Sequence, residues 1–350
     1  TIEASTQTLK TQCVGSRLVM CPVFIQMFCA SVSVRLLSLS LSLCLSECMC
    51  VESRRALLFV CFIRSLGRAD EMGLDVCIGD LNKTHAVARF AWVLLELDRT
   101  DFEIIVYNSK KMPADNKMSD MVDKWVDVHE MNTEACVQAI VADEIDILVD
   151  LAGFSSCNRL DAFSCAAAPV QVTWIGYPNT TGLKSIHYRV TDAVTDPPDT
   201  TQQYAEKLIR LPDCFLCYAP AGLSETLPPV ATPPFEKNGF ITFGSFNTVL
   251  KVKDECVMLW CRVLNAVPNS RIVIKTSSNI FSSLALCEEW YAKFEAHNIS
   301  RQRVTLLAVS LTYWSHMEAY KHADIALDSF PYTGTTTTVE AVLMVGPEPV

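Results

Sequence analysis

The sequence predicts an α/β protein built as two Rossmann-like domains. Three observations carry this: short β-branched runs alternate with amphipathic segments from Leu74 onward, a proline-rich stretch (LPPVATPPFEKNG, Leu227 to Gly239) breaks the alternation, and a second series of the same kind follows. Such alternation is the pattern of βαβ units around a parallel sheet. With 350 residues, half of them apolar, the chain is long enough for two ordinary cores and long for one.

Residues 1–70 read differently from the rest. Cys13, Cys21, Cys29, Cys44, Cys48, Cys50 and Cys61 crowd into this stretch, with the apolar runs LLSLSLSLCLSECMC (Leu36 to Cys50) and ALLFVCFI (Ala56 to Ile63). A membrane-spanning helix needs about 20 mainly apolar residues. These runs are shorter, Ser-rich, and separated by Glu47, Glu52, Arg54 and Arg55. A leader, either unstructured or not native coding sequence, is the expectation, and membrane anchoring by residues 19–64 is the lesser alternative.

In the first domain, residues 71–226, strands are expected near 74–79, 103–107, 145–150 and 170–174. Helices are expected near 86–97, 119–127, 133–143 and 156–165. The run IDILVDL (Ile145 to Leu151) is apolar at consecutive positions, as a strand covered on both faces requires. Residues 227–239 are the expected linker. In the second domain, residues 240–350, strands are expected near 240–245, 271–275, 303–307 and 324–328, and helices near 253–265, 282–297, 313–322 and 336–344. Ligands of open α/β sheets bind beyond the carboxyl ends of the strands, so the site should be built by the loops that follow them. No repeat of 30 to 50 residues is present, which excludes a tetratricopeptide array in this sequence.

A net charge of −10 and a pI near 5.1, without a Lys/Arg cluster, argue against nucleic acid as a partner. The sixteen cysteines fall at irregular spacings in a long chain, which points to a reducing compartment. No Gly-x-Gly-x-x-Gly follows a strand, which disfavours a dehydrogenase. Cys214 and Cys217 would make half a zinc site, but no second pair accompanies them, so packing is the better account.

Several residues suggest chemistry. In GTTTT (Gly334 to Thr338) a glycine turn leads into hydroxyls at the start of an expected helix, where free N–H groups and the dipole favour a phosphate; simple capping is the competing account. Lys251 follows the strand ITFGSF by a short loop and can bring an ammonium to the carboxyl edge of the sheet, unless it is an ordinary solvated lysine. His85, in GDLNKTHAVARF, is a candidate proton acceptor between the first strand and the first helix. The loop GYPNTTG after the strand VQVTWI, with Gly176, Tyr177, Pro178, Asn179 and Thr180, offers hydroxyls to a ligand or is a plain turn.

Three long stretches resemble the SPINDLY / O-GlcNAc transferase family, and with weaker flanks they cover residues 74 to 345. They are APVQVTWIGYPNTTGL (Ala168 to Leu183) with YRVTDAVTDPPDT and LIRLPDCFLCY behind it; GFITFGSFNTVLKV (Gly239 to Val252) with CRVLNAVPNSRIVIK; and HMEAYKHADIALDSFPYTGTTTTVEA (His316 to Ala341). The wording is nearer SPINDLY than the animal enzymes. The resemblance implies a GT-B arrangement, two Rossmann-like domains facing a cleft, with the second domain incomplete at Val350. It implies donor contacts at Asn247, Lys251, His316, Thr335, Thr336, Thr337 and Glu340: the threonines and Lys251 at the pyrophosphate, His316 stacking on the base, Glu340 on the ribose. His85 would lie near the reacting sugar, although its loop is one residue longer than the family's.

The implied activity is a metal-independent, inverting transfer of a sugar, GlcNAc from UDP-GlcNAc or fucose from GDP-fucose, to Ser or Thr of cytoplasmic or nuclear proteins, with no cofactor. Two departures stand out. Phe154 replaces the polar ring that usually follows the glycine after DILV, and Ala167 replaces an arginine before the Ala-Pro of APVQV. Phe154, the expected incompleteness of the second domain and the unusual leader motivate the alternative of a catalytically inactive fragment that binds nucleotide or protein partners.

Overall fold

The computed structural model describes residues 102–111, 119–219 and 227–345, the isolated residues Leu94, Leu97 and Arg99, and the backbone of Leu18–Met20. The expected strand near 74–79, most of the helix near 86–97, and His85 lie outside the described residues. The chain forms two compact units, residues 40–223 and residues 224–350 together with 1–39. Among the described residues no helix is long and apolar enough to cross a membrane.

Strand β1 (Leu18–Met20) belongs to the second unit. The first unit opens with β2 (Ile105–Asn108) and β3 (Lys124–Asp127), a parallel pair in register from Ile105 opposite Lys124 to Asn108 opposite Asp127. The helix expected near 119–127 is not formed there: a single turn, Ser119–Met121, precedes β3. Pairing with β2 overrides the helical pattern, and the Asn108 side-chain amide fastens the far end by donating to Asp127 at 2.7 Å.

Helix α1 (Thr133–Ala142) starts where the Asn132 side chain accepts the Ala135 N–H at 2.8 Å, and it buries Cys136 and Ile140, four residues apart on one face. The strands β4 (Ile147–Asp150), β5 (Val170–Thr173), β6 (Tyr188–Asp192) and β7 (Lys207–Leu211) follow in that spatial order, all parallel. A short helix α2 (Leu160–Ser164) lies between β4 and β5. Ile147, Val149 and Val172 pack on one face with Val106 and Trp174, while Leu148 packs on the other with Ile140, Phe163 and Ile186. Covering both faces is what makes the DILV run continuously apolar.

After β1, the second unit continues with α3 (Pro234–Asn238), a single helical segment within the expected linker. Buried Asp324 ties it down by accepting the Phe235 and Thr242 N–H groups, both at 2.8 Å. Then come β8 (Thr242–Ser245), α4 (Asp254–Ala266), β9 (Arg271–Lys275), α5 (Leu284–Glu295), β10 (Val304–Leu307), α6 (Tyr313–Glu318), β11 (Ile325–Leu327) and α7 (Thr336–Val345). The sheet is parallel in the order β1-β11-β8-β9-β10. One face carries Phe243, Ile272, Ile274 and Leu327 against Trp260, Leu264 and Phe294; the other carries Val273 and Ala326 against Tyr320, Ala341 and Met344. The α/β class read from the sequence is the class observed, with parallel sheets in both units.

Candidate functional site

The second unit gathers chemistry at the carboxyl edge of its sheet. Past β8 the chain places Asn247 and, after a single turn (Val249–Lys251), the Lys251 side chain; β9 ends in Lys275; β11 runs into Asp328; and α7 starts at the GTTTT turn.

Asp328 organises this edge. Its carboxylate accepts the Gly334 N–H in both oxygens (3.1 and 3.0 Å), the Thr338 hydroxyl (2.7 Å), the Asn247 side-chain amide (3.0 Å) and the Ser329 N–H (2.7 Å). The Thr337 hydroxyl donates to the Asn247 side-chain oxygen at 2.7 Å. So the hydroxyls of Thr337 and Thr338 and the Asn247 side chain take part in holding the turn in shape. The Thr335 carbonyl accepts the Thr338 and Val339 N–H groups, both at 3.1 Å, and Thr336 opens the helix. The amino end of α7 therefore lies beside Lys251.

Lys251 donates to the Gly334 carbonyl at 2.5 Å and stands 4.1 Å from the centroid of the Tyr332 ring. Burial holds its pKa below the ordinary lysine value, against the opposing pull of Asp328. It is not the solvated lysine of the competing reading. On the other side of the edge, His316 links two charged groups: Lys275 Nζ lies 2.8 Å from its Nδ1, and Glu340 Oε2 lies 3.0 Å from its Nε2. Tyr320 stacks on Phe246, crosses the His316 ring at 5.7 Å, and donates its hydroxyl to the Thr337 carbonyl at 3.2 Å. A small cavity lined by Phe246, Asn247, Tyr320, Asp328 and Thr337 lies among them.

Asn247, Lys251, His316, Thr335, Thr336, Thr337 and Glu340 are thus brought to one edge of one sheet. Lys275, Asp328, Tyr320 and Tyr332 belong to the same constellation and were not among the residues read from the sequence. Lys275 closes the strand RIVIK, which also opens on a charge, so its position alone does not mark it as part of a site. Among the described residues no three His, Cys, Asp or Glu side chains are grouped to hold a metal ion.

The GYPNTTG loop lies in the first unit. Gly176 passes so close to the chain that an added Cβ would stand 1.9 Å from the Leu151 carbonyl oxygen. Buried Arg189 donates to the Tyr177 and Asn179 carbonyls at 2.9 and 3.0 Å. The Thr180 hydroxyl donates to Glu206 at 2.7 Å, and Gln202 donates to the Asn179 side chain at 2.6 Å. Pro178 completes the bend. For Thr180 and Asn179 the turn reading fits, because their polar atoms serve the loop itself. Phe154 is 58% exposed and meets the Tyr177 ring edge-on at 5.4 Å, so the apolar replacement presents a surface ring. Ala167, where the arginine is missing, is buried.

Residues 93–221 match the family model described as glycosyl transferase family 41. Over 269 residues the chain is 43% identical to the probable UDP-N-acetylglucosamine–peptide N-acetylglucosaminyltransferase SPINDLY of Arabidopsis thaliana, which covers 75% of this chain and 29% of that protein. Over three quarters of its length the chain is similar to proteins of the SPINDLY / O-GlcNAc transferase family. The tomato (Solanum lycopersicum) SPINDLY is 42% identical over 268 residues, covering 75% of this chain and 28% of the relative. A structure of a variant Thermobaculum terrenum O-GlcNAc transferase matches this chain with a TM-score of 0.70 at 30% identity, covering 78% of this chain and 51% of that one. The chain spans under a third of the length of these SPINDLY relatives.

Proposed function

We propose that the second unit binds the nucleoside diphosphate end of a nucleotide sugar, and that the chain serves the transfer of that sugar to Ser or Thr hydroxyls of proteins. The observation that carries the reading is the meeting of Lys251, the amino end of α7, His316 and Glu340 at one sheet edge. The plant relatives are named for transfer from UDP-N-acetylglucosamine to peptide, which supports the partner classes. UDP-GlcNAc and GDP-fucose are the two donors proposed.

In this reaction the acceptor oxygen bonds to the anomeric carbon as the bond from that carbon to the diphosphate oxygen breaks, with inversion. The hydroxyl proton goes to a base, for which His85 is the candidate. The leaving diphosphate gains negative charge. In this reading Lys251 and the N–H groups at the start of α7 stabilise that charge, and a metal-independent transfer is proposed, since such preorganised contacts act where charge develops. His316 offers a ring face to the base and Glu340 a carboxylate to ribose hydroxyls.

Isothermal titration of the chain with GDP, UDP, GDP-fucose and UDP-GlcNAc tests the reading. One nucleotide and its sugar should bind with a Kd in the micromolar range, about −8 kcal/mol at 1 μM. No binding by any of the four at about 1 mM would remove the proposal. Binding by a full-length protein that transfers no sugar would favour the binding-only alternative, for which the exposed Phe154 ring is the motivating observation.

A further inference from the structure

We propose that Lys275 is a positioning residue of the nucleotide site, one that sets the tautomer of His316 and through that ring holds Glu340 in place. The inference rests on the functional reading above and adds to it how the base-and-ribose end of the site is kept in order.

Lys275 ends β9 after the buried residues Ile272, Val273 and Ile274, and it is itself only 2% exposed. Burying an ammonium is costly, and a buried charge is retained against that cost only with compensating contacts. Burial lowers its pKa and Glu340 opposes the shift. A methionine would fill much the same space without the desolvation. The charge therefore serves something other than packing.

What it meets is the His316 Nδ1 at 2.8 Å. An ammonium has three donors and no acceptor, so Nδ1 must present its lone pair. The ring proton is then on Nε2, which donates to Glu340 Oε2 at 3.0 Å. A neutral ring with its proton on Nδ1 would face donor against donor on one side and lone pair against carboxylate on the other. Side chains from β9, α6 and α7 thus form one directional chain, ammonium to imidazole to carboxylate, with the Tyr320 ring crossing the imidazole at 5.7 Å. Lys251 stands apart from this chain, on the Gly334 carbonyl and the Tyr332 ring. The two lysines divide the site: Lys251 serves the phosphates, Lys275 the base and ribose.

The experiment compares the unmodified chain with Lys275→Met and Lys275→Arg. Long-range proton–nitrogen correlation spectra of the imidazoles, assigned with His316→Gln, read the tautomer without ligand. Calorimetry with GDP, UDP and inorganic pyrophosphate reads the two ends of the site separately. The unmodified chain should show His316 protonated on Nε2. Lys275→Met should mix the tautomers and weaken nucleoside diphosphate binding about tenfold, the scale of one lost charged hydrogen bond, while pyrophosphate binding is unchanged. Lys275→Arg, which still donates, should keep the Nε2 proton.

A proton on Nδ1 in the unmodified chain overturns the proposal, as does an unchanged tautomer in Lys275→Met or an equal loss of pyrophosphate binding. If Lys275→Met does not fold, as judged by circular dichroism, the unmodified and arginine spectra decide the matter. If the unmodified chain binds none of the ligands, the functional reading fails on its own, and the spectra still decide the role of Lys275.

Discussion

The Asp328 carboxylate holds the Gly334 amide with both oxygens, at 3.1 and 3.0 Å. This contact fixes where the turn before α7 begins, and the same carboxylate also accepts from Thr338 and Asn247. Asp328→Ala leaves those donors without their acceptor in a buried setting. Loss of such a network costs about 2–4 kcal/mol. A fall of the unfolding free energy by that amount, read from chemical denaturation, is expected; a change under about 0.5 kcal/mol would show that the turn stands without Asp328.

Lys251→Ala should remove most transfer activity in the full-length protein, by roughly 100- to 1,000-fold, equivalent to about 3 kcal/mol of barrier. Because the side chain also touches Gly334 and Tyr332, stability should fall by about 1 kcal/mol. Transfer within about threefold of the parent rate would withdraw Lys251 from the diphosphate.

The pH dependence of that site follows from burial. The Lys251 pKa lies below the ordinary 10.5, and only the protonated form attracts a phosphate. Calorimetric affinity for pyrophosphate should therefore fall as pH rises, with its midpoint below 10.5. A midpoint at or above that value would contradict the buried position.

The cysteines should separate by environment. Burial pushes the Cys256 and Cys261 thiols up to about 11, whereas Cys157 and Cys165 are exposed. Since the thiolate is the nucleophile, native labelling with iodoacetamide at pH 8, read by peptide mass spectrometry, should modify Cys157 and Cys165 and spare the other two. Equal labelling of Cys256 would mean that α4 opens readily.

Gly176→Ala should disrupt the first unit. An added Cβ would stand 1.9 Å from the Leu151 carbonyl oxygen, a backbone atom that moves only with β4. Overpacking in cores typically costs about 1–3 kcal/mol, and a backbone clash belongs at or above the upper end. A melting temperature within about 2 °C of the parent would show that the loop can shift aside.

Much of this architecture could be read in advance. The strands around Ile147, Val172, Phe243 and Ile274 announced themselves as apolar runs, because burial on both faces leaves a local mark. Strands β6 and β7 did not: Arg189, Asp192 and Arg210 interrupt their pattern, and only the finished fold shows that Arg189 is buried and bonded to the Tyr177 and Asn179 carbonyls. β3 carries a helical pattern in the sequence, because its pairing with β2 is a non-local event. At the site, Lys251 and GTTTT could be found from their place after a strand and before a helix. Lys275 could not, since a lysine at the end of RIVIK reads as a strand emerging into water until His316, some forty residues later, is folded against it. The scaffolding part played by Thr337 and Thr338 was hidden for the same reason, since it depends on Asp328 and Asn247.

The seat of Lys251 on Gly334 and Tyr332 also bears on thermodynamics. A lysine side chain carries about 2 kcal/mol of rotamer entropy. Here much of that freedom is already lost when the chain folds, because the ammonium is held by a carbonyl and a ring. An arriving diphosphate then meets a side chain that needs little further ordering, and it exchanges one oxygen partner for another. Its affinity at this point is governed by the difference between two contacts, the carbonyl given up and the phosphate gained, with the entropy of the lysine largely absent from the balance.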